Sequence, residues 1–199
     1  MALTMTDKVL GETFGATEGT ALRMKQAAMV VAGIAILAIA AKISVPMWPV
    51  PITMGTFAVL TLGAAYGPRL GLVTIMGYMI LGAIGLDVFA GTGADASGLT
   101  YMMGGTGGYL VGYVIATMIL GLAARAGYDR SVKGMVAALV AGNVAIYVPG
   151  VLWLGVLYGW DQPIVAWGLT PFLIGDAVKL VLAALLVPAV WKLVANARG

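Results

Sequence analysis

The sequence predicts an all-α fold, an integral membrane bundle of six transmembrane helices with the N- and C-termini cytoplasmic. Three observations lead there. Apolar residues make up 61% of the 199 residues and charged ones only 10%, against about 25% charged in a soluble domain. The mean hydropathy is +1.02. Apolar runs able to cross a hydrocarbon core of about 30 Å recur along the chain, without the alternation of a membrane barrel.

The elements follow in order. Residues 1–24 combine Thr, Gly and mixed charge with no apolar face and read as a mobile cytoplasmic tail. Residues 25–199 form the six-helix membrane domain. The first helix runs Gln26–Ile43 and ends before the cluster Pro46, Pro49 and Pro51. It is too long, and too far from the start, for a cleaved signal peptide. The second, Ile52–Tyr66, is short and stops at Gly67-Pro68-Arg69. The third spans Leu70–Leu86, the fourth Gly107–Ala126, the fifth Val132–Tyr158 and the sixth Thr170–Val194. All are apolar around their circumference, as bundle helices are.

Orientation follows from Lys and Arg in the short connections. With the N-terminus inside, nine cations fall on the inner side: Lys8, Arg23, Lys25, Arg69, Arg125, Arg130, Lys133, Lys192 and Arg198. Lys42 alone falls outside, together with Asp87, Asp95 and Asp161. Lys179 lies inside a span.

Composition also excludes chemistry. With no Cys and no His, there are no disulfides, thiol nucleophiles, imidazole bases or His/Cys metal sites. No Gly precedes a Lys, so the chain has no phosphate loop of the GxxxxGK[ST] type. The serines, Ser44, Ser97 and Ser131, lie outside any GxSxG elbow. Binding or moving a solute is favoured over reacting with it. No enzyme activity, cofactor, metal or nucleic-acid partner is expected, and membrane lipid is the surrounding solvent.

Ionisable groups inside a span mark functional sites by default. Asp176 and Lys179 share one helix face at spacing i, i+3. Counting from Thr170 at 1.5 Å per residue puts them about 9 Å and about 13 Å deep. They are either ligand contacts or a self-neutralising pair that packs the bundle. Asn143, near the midplane, shares a face with Tyr147 and Gly150. Its amide suits a urea or amide edge, or else an interhelical hydrogen bond. Pro149 loosens the helix at that depth.

The outer connection Asp87–Thr106 is Gly-rich and ends Gly104-Gly105-Thr106-Gly107-Gly108-Tyr109. It reads as a lid whose N–H groups at a helix start suit an oxyanion, or as a connector needing tight turns. A second outer connection runs from Val45 to Thr53; its Trp48 is an interface anchor or a pocket wall. Ala28 and Ala32 on the first helix allow close helix approach, within the bundle or to a separate membrane subunit.

Together these residues resemble a known family. Pro49-Val50-Pro51-Ile52-Thr53-Met54, Gly67-Pro68-Arg69-Leu70-Gly71 and Gly82-Ala83-Ile84-Gly85-Leu86 with Val88-Phe89-Ala90 keep its order and spacing. So do Thr106-Gly107-Gly108-Tyr109-Leu110 and Pro171-Phe172-Leu173-Ile174-Gly175-Asp176 ending at Lys179. The chain is similar to the biotin-specific S components of energy-coupling-factor (ECF) transporters, the BioY family. One departure is Gly104-Gly105 before Thr106, where the family often has Gly-Pro, implying a looser lid.

The resemblance implies a substrate-capture subunit in the bacterial inner membrane, with a high-affinity vitamin site near the outer surface. A transmembrane T component and two cytoplasmic ATPases supply the energy. Ala28 and Ala32 match the small residues through which S components meet the T component. Biotin offers a ureido edge, a thiophane ring and a valerate carboxylate. Asp176 and Asn143 suit the ureido edge, Lys179 suits the carboxylate or holds Asp176 ionised, and Tyr109, Tyr147 and Trp153 suit the ring and chain. Thr53, Thr106, Gly107 and Gly108 complete the implied site. The alternative is a self-sufficient carrier working by alternating access, against which no inverted repeat is visible between the halves.

Overall fold

The computed structural model describes residues 8–91 and 97–196. Asp95 and Arg198 therefore lie outside the described residues. The chain is built of helices: α1 (Gly19–Lys42), α2 (Gly55–Ala83), α3 (Gly98–Met103), α4 (Gly107–Arg125), α5 (Val132–Tyr158), α6 (Ile164–Gly168) and α7 (Leu173–Asn196). A two-residue antiparallel ladder, β1 (Ser44–Val45) with β2 (Ile52–Thr53), closes the connection after α1. Among the described residues five helical runs are long and apolar enough to cross a membrane: α1, α2, α4, α5 and the run from Ile164 to Asn196.

The stretches read from the sequence as second and third helices form the single run α2, but it is not one rod. Gly67 sits at φ +75°, ψ 177°, a conformation open to Gly because it has no Cβ, and Pro68 cannot donate to the preceding turn. A Cβ built on Gly71 would lie 3.6 Å from Gly63 Cα, whereas eight residues of straight helix would separate them by about 12 Å. Val59 and Ile75 likewise line one small cavity. Residues 55–66 and 68–83 thus fold back on each other.

This bend defines two ends. At the upper end Lys42, closing α1, pairs with Asp87 beyond α2 at 2.5 Å. Trp153 Nε1 donates to Gly104 O (2.8 Å) and Tyr109 OH to Gly168 O (2.6 Å), tying α4 and α5 to the connections around them. At the lower end Trp191 Nε1 of α7 donates to the buried Asp129 Oδ2 (2.6 Å) before α5, and the Arg130 guanidinium lies 4.5 Å from the Trp191 ring. Ser131 caps α5, its Oγ accepting from Gly134 N at 3.1 Å.

α4 is central, packed between α2 and α5, with α1 on α2 and α7 against α5 and α2. The backbones come close where side chains are absent: a Cβ at Gly121 would sit 2.4 Å from Pro68 N, in the α2 bend. α1 buries Gly33, Leu37, Ala40 and Ala41, one face at i, i+4, i+7 and i+8, leaving Ala28 and Ala32 exposed on the opposite side.

The expected tail over 1–24 differs in its described part. α1 already begins at Gly19, and Val9 and Leu10 are buried, Val9 against the Gly67 bend. Two apolar residues are too few to register as a hydrophobic face, yet they suffice to plug the gap that the bend leaves.

Candidate ligand-binding site

The polar corner of the site is built on the first turns of α7. Asp176 and Lys179 are 6% and 9% exposed and joined by a 2.8 Å ion pair. The Lys179 ammonium also donates to Thr53 O at 2.6 Å and to Thr56 Oγ1 at 3.1 Å. Its three N–H donors are therefore matched by three internal acceptors. Asp176 Oδ2 accepts from Tyr147 OH at 2.5 Å, and the Thr56 hydroxyl lies 3.4 Å from Oδ1. α7 supplies the charges, α5 the phenol, and the β2–α2 junction the carbonyl and hydroxyl.

Above this corner lies a narrow cavity. Lys179, Tyr147, Thr53 and Thr56 form its polar side. Its walls are Tyr78, Phe89 and Tyr101 on one flank and Tyr109, Tyr113 and Phe172 on another, with Leu37, Val50 and Ile146 between. Phe89 stacks on Tyr101 with centroids 4.9 Å apart and meets Tyr78 edge-on at 5.3 Å. Tyr109 meets Tyr147 edge-on at 6.2 Å. Such contacts set ring orientation beyond simple burial.

A second, outer cavity is walled by Pro46, Trp48 and Pro49 and by Gly104 and Gly105; it shares Pro51, Tyr101 and Thr106 with the first. Trp48 is 65% exposed, packs edge-on against Tyr158 and Trp167, and lines this cavity.

Of the residues singled out from sequence, Lys179, Tyr147, Tyr109, Thr53 and Thr106 line the cavity, and Asp176 sits behind them, bonded to Lys179 and Tyr147. Four others do not line it. Asn143 donates from Nδ2 to Leu139 O one turn back (3.1 Å), and its buried Oδ1 has no partner among the described residues. Gly107 and Gly108 serve packing, since a Cβ on them would come 2.2 Å from Met102 O and from Pro149 O respectively. Trp153 Nε1 donates to Gly104 O, pinning the connection. Thr56, Tyr78, Tyr101 and Tyr113 were not singled out. In an apolar chain a wall Tyr or Thr carries the same local signal as a packing one.

An apolar helical bundle with an aromatic-walled cavity and one neutralised ion pair in its corner defines a multi-pass membrane protein that holds a small molecule. The comparisons with known proteins narrow this class. The family model described as the BioY family matches residues 12–196, and the chain belongs to that family. A protein of Pyrococcus horikoshii named probable biotin transporter BioY is 35% identical over 167 residues, covering 83% of this chain and 95% of the relative. Biotin transporter BioY of Thermotoga maritima is 35% identical over 159 residues, covering 80% and 91%. Among solved structures, the S-component for biotin from an ECF-type ABC transporter has the same fold. It matches with a TM-score of 0.73 over 88% of this chain and 95% of that one, at 20% identity.

Proposed function

We propose that this chain is the biotin-binding substrate-capture (S) subunit of an ECF-type vitamin uptake transporter, and not an enzyme. The observation that carries the reading is the polar corner under an aromatic-walled cavity in a member of this family. The Tyr147 hydroxyl oxygen, its proton given to Asp176 Oδ2, and the Asp176 carboxylate offer acceptors to the ureido N–H groups, and the tyrosine and phenylalanine walls take the thiophane ring and valerate chain. Burial strengthens these polar contacts because no water competes for them.

The chain crosses the membrane six times in this reading, as α1, the two halves of α2, α4, α5 and α7. The fold-back at Gly67 and the Lys42–Asp87 pair support that count. Lys8 and the end of α7 both lie at the lower end with Arg125, Arg130 and Lys192. By the excess of cations that end is cytoplasmic, which places the cavity near the outer surface of the bacterial cell membrane. A T component and two ATPases supply the energy, since the chain has no phosphate loop. The exposed Ala28 and Ala32 give the T component a flat helix face.

The test is equilibrium biotin binding by the Asp176→Asn variant. This substitution removes an ionised acceptor, worth about 1.5–3 kcal/mol, so affinity falls about 10- to 100-fold. A variant that folds and binds biotin as the parent does would make the pair structural.

A further inference from the structure

At the lower end the N-terminal segment, the first turns of α1 and the second half of α2 border an open groove. Four cations line it, Lys8, Lys25, Arg69 and Arg125, with two carboxylates, Glu12 and Glu18. Arg125 and Glu12 neutralise each other through hydrogen bonds of 3.1 and 2.5 Å, which leaves three cations against Glu18. Among the described residues the Lys8 ammonium and the Arg69 guanidinium have no ion-pair partner. Lys25 uses one donor on Phe14 O.

Beside the cations the groove is apolar, lined by Met29 of α1 and Val73 of α2. The apolar surface continues out of it up α2 as Val73, Met76 and Ile80, which are 56%, 41% and 56% exposed. Their spacing of three and four residues from Arg69 onward puts all four on one helix face. On a membrane bundle such a stripe faces hydrocarbon, and cations at its end lie at headgroup level, where they attract anionic lipid. A free phosphate would use only the cations, and an acidic peptide would leave the stripe bare.

We propose that this groove is a binding site for one anionic phospholipid of the lower leaflet. Its phosphate sits among Lys8, Lys25 and Arg69, and an acyl chain follows Met29, Val73 and Met76. The lipid thereby ties the first turns of α1 to the half of α2 that follows the Gly67 bend.

The test uses the full chain in detergent micelles offered phosphatidylglycerol and phosphatidylcholine with identical acyl chains, the retained lipids being counted by native mass spectrometry. One phosphatidylglycerol is expected to be retained in preference to phosphatidylcholine. Lys25→Gln and Arg69→Gln should each weaken its retention about fivefold, equivalent to about 1 kcal/mol per cation. Arg23→Gln, an exposed cation outside the groove, should leave it unchanged, and biotin binding by every variant reports folding. Equal retention of the two lipids by the unaltered chain overturns the proposal without any variant. So does displacement of phosphatidylglycerol by millimolar inorganic phosphate, which would assign the cations to a free anion. Groove variants that lose the T component while retaining phosphatidylglycerol would assign the groove to a protein partner and overturn it as well.

Discussion

Three acceptors at 2.6, 2.8 and 3.1 Å take the three protons of the Lys179 ammonium, and this decides how the residue acts on a ligand. A ligand carboxylate must displace one of them, while a ureido group need only approach Asp176 and Tyr147. In the proposed site Lys179 therefore acts by holding Asp176 in place. Lys179→Met should weaken biotin and biotinamide by the same factor, measured as the ratio of their Kd values in parent and variant. Loss of only the preference for biotin over biotinamide would instead seat the carboxylate on Lys179. At this scale the sequence reveals charge and conceals shape. Asp176 and Lys179 stand out because ionisable residues in an apolar run are costly. Asn143 stands out equally, but its Nδ2 donates along its own helix and it does not line the cavity. Thr56 and Tyr113 carry no mark at all, because their part in the site depends on which helix faces which.

At the scale of elements, apolar length located the long helices and Gly67-Pro68 marked the reversal within α2. The short α3 and α6 and the buried Val9 and Leu10 were not legible. Each is too short for a periodic signal and is held by tertiary contacts. α1 carries its own prediction. Its buried face holds Gly33 and Leu37, whereas Ala28 and Ala32 are exposed, so bulk added there meets no side chain of this chain's own core. Replacing both alanines by Leu should leave biotin binding by the isolated chain unchanged and reduce its co-purification with the T component. Loss of biotin binding in that variant would show that the alanines pack the bundle.

At the scale of the whole molecule, the two ends differ in charge. The cations Lys8, Arg125, Arg130 and Lys192 gather at the end that holds the α2 bend, while the cavity opens toward the other. By the cation rule this asymmetry supports the proposed orientation. The exposed Asp161 and Ser131 lie at opposite ends, and the chain contains no Cys of its own. In intact cells, Asp161→Cys should react with an impermeant thiol reagent and Ser131→Cys should not; the reverse pattern would invert the topology. In the proposed orientation the cavity lies on the side from which a scavenged vitamin arrives, and the proposed partners supply the energy. Capture should therefore need this chain alone. The most direct test is equilibrium binding of biotin, riboflavin and thiamine to the purified chain in detergent, with no partner present. Biotin should bind and the other two should not; retention of riboflavin or thiamine without biotin would contradict the account.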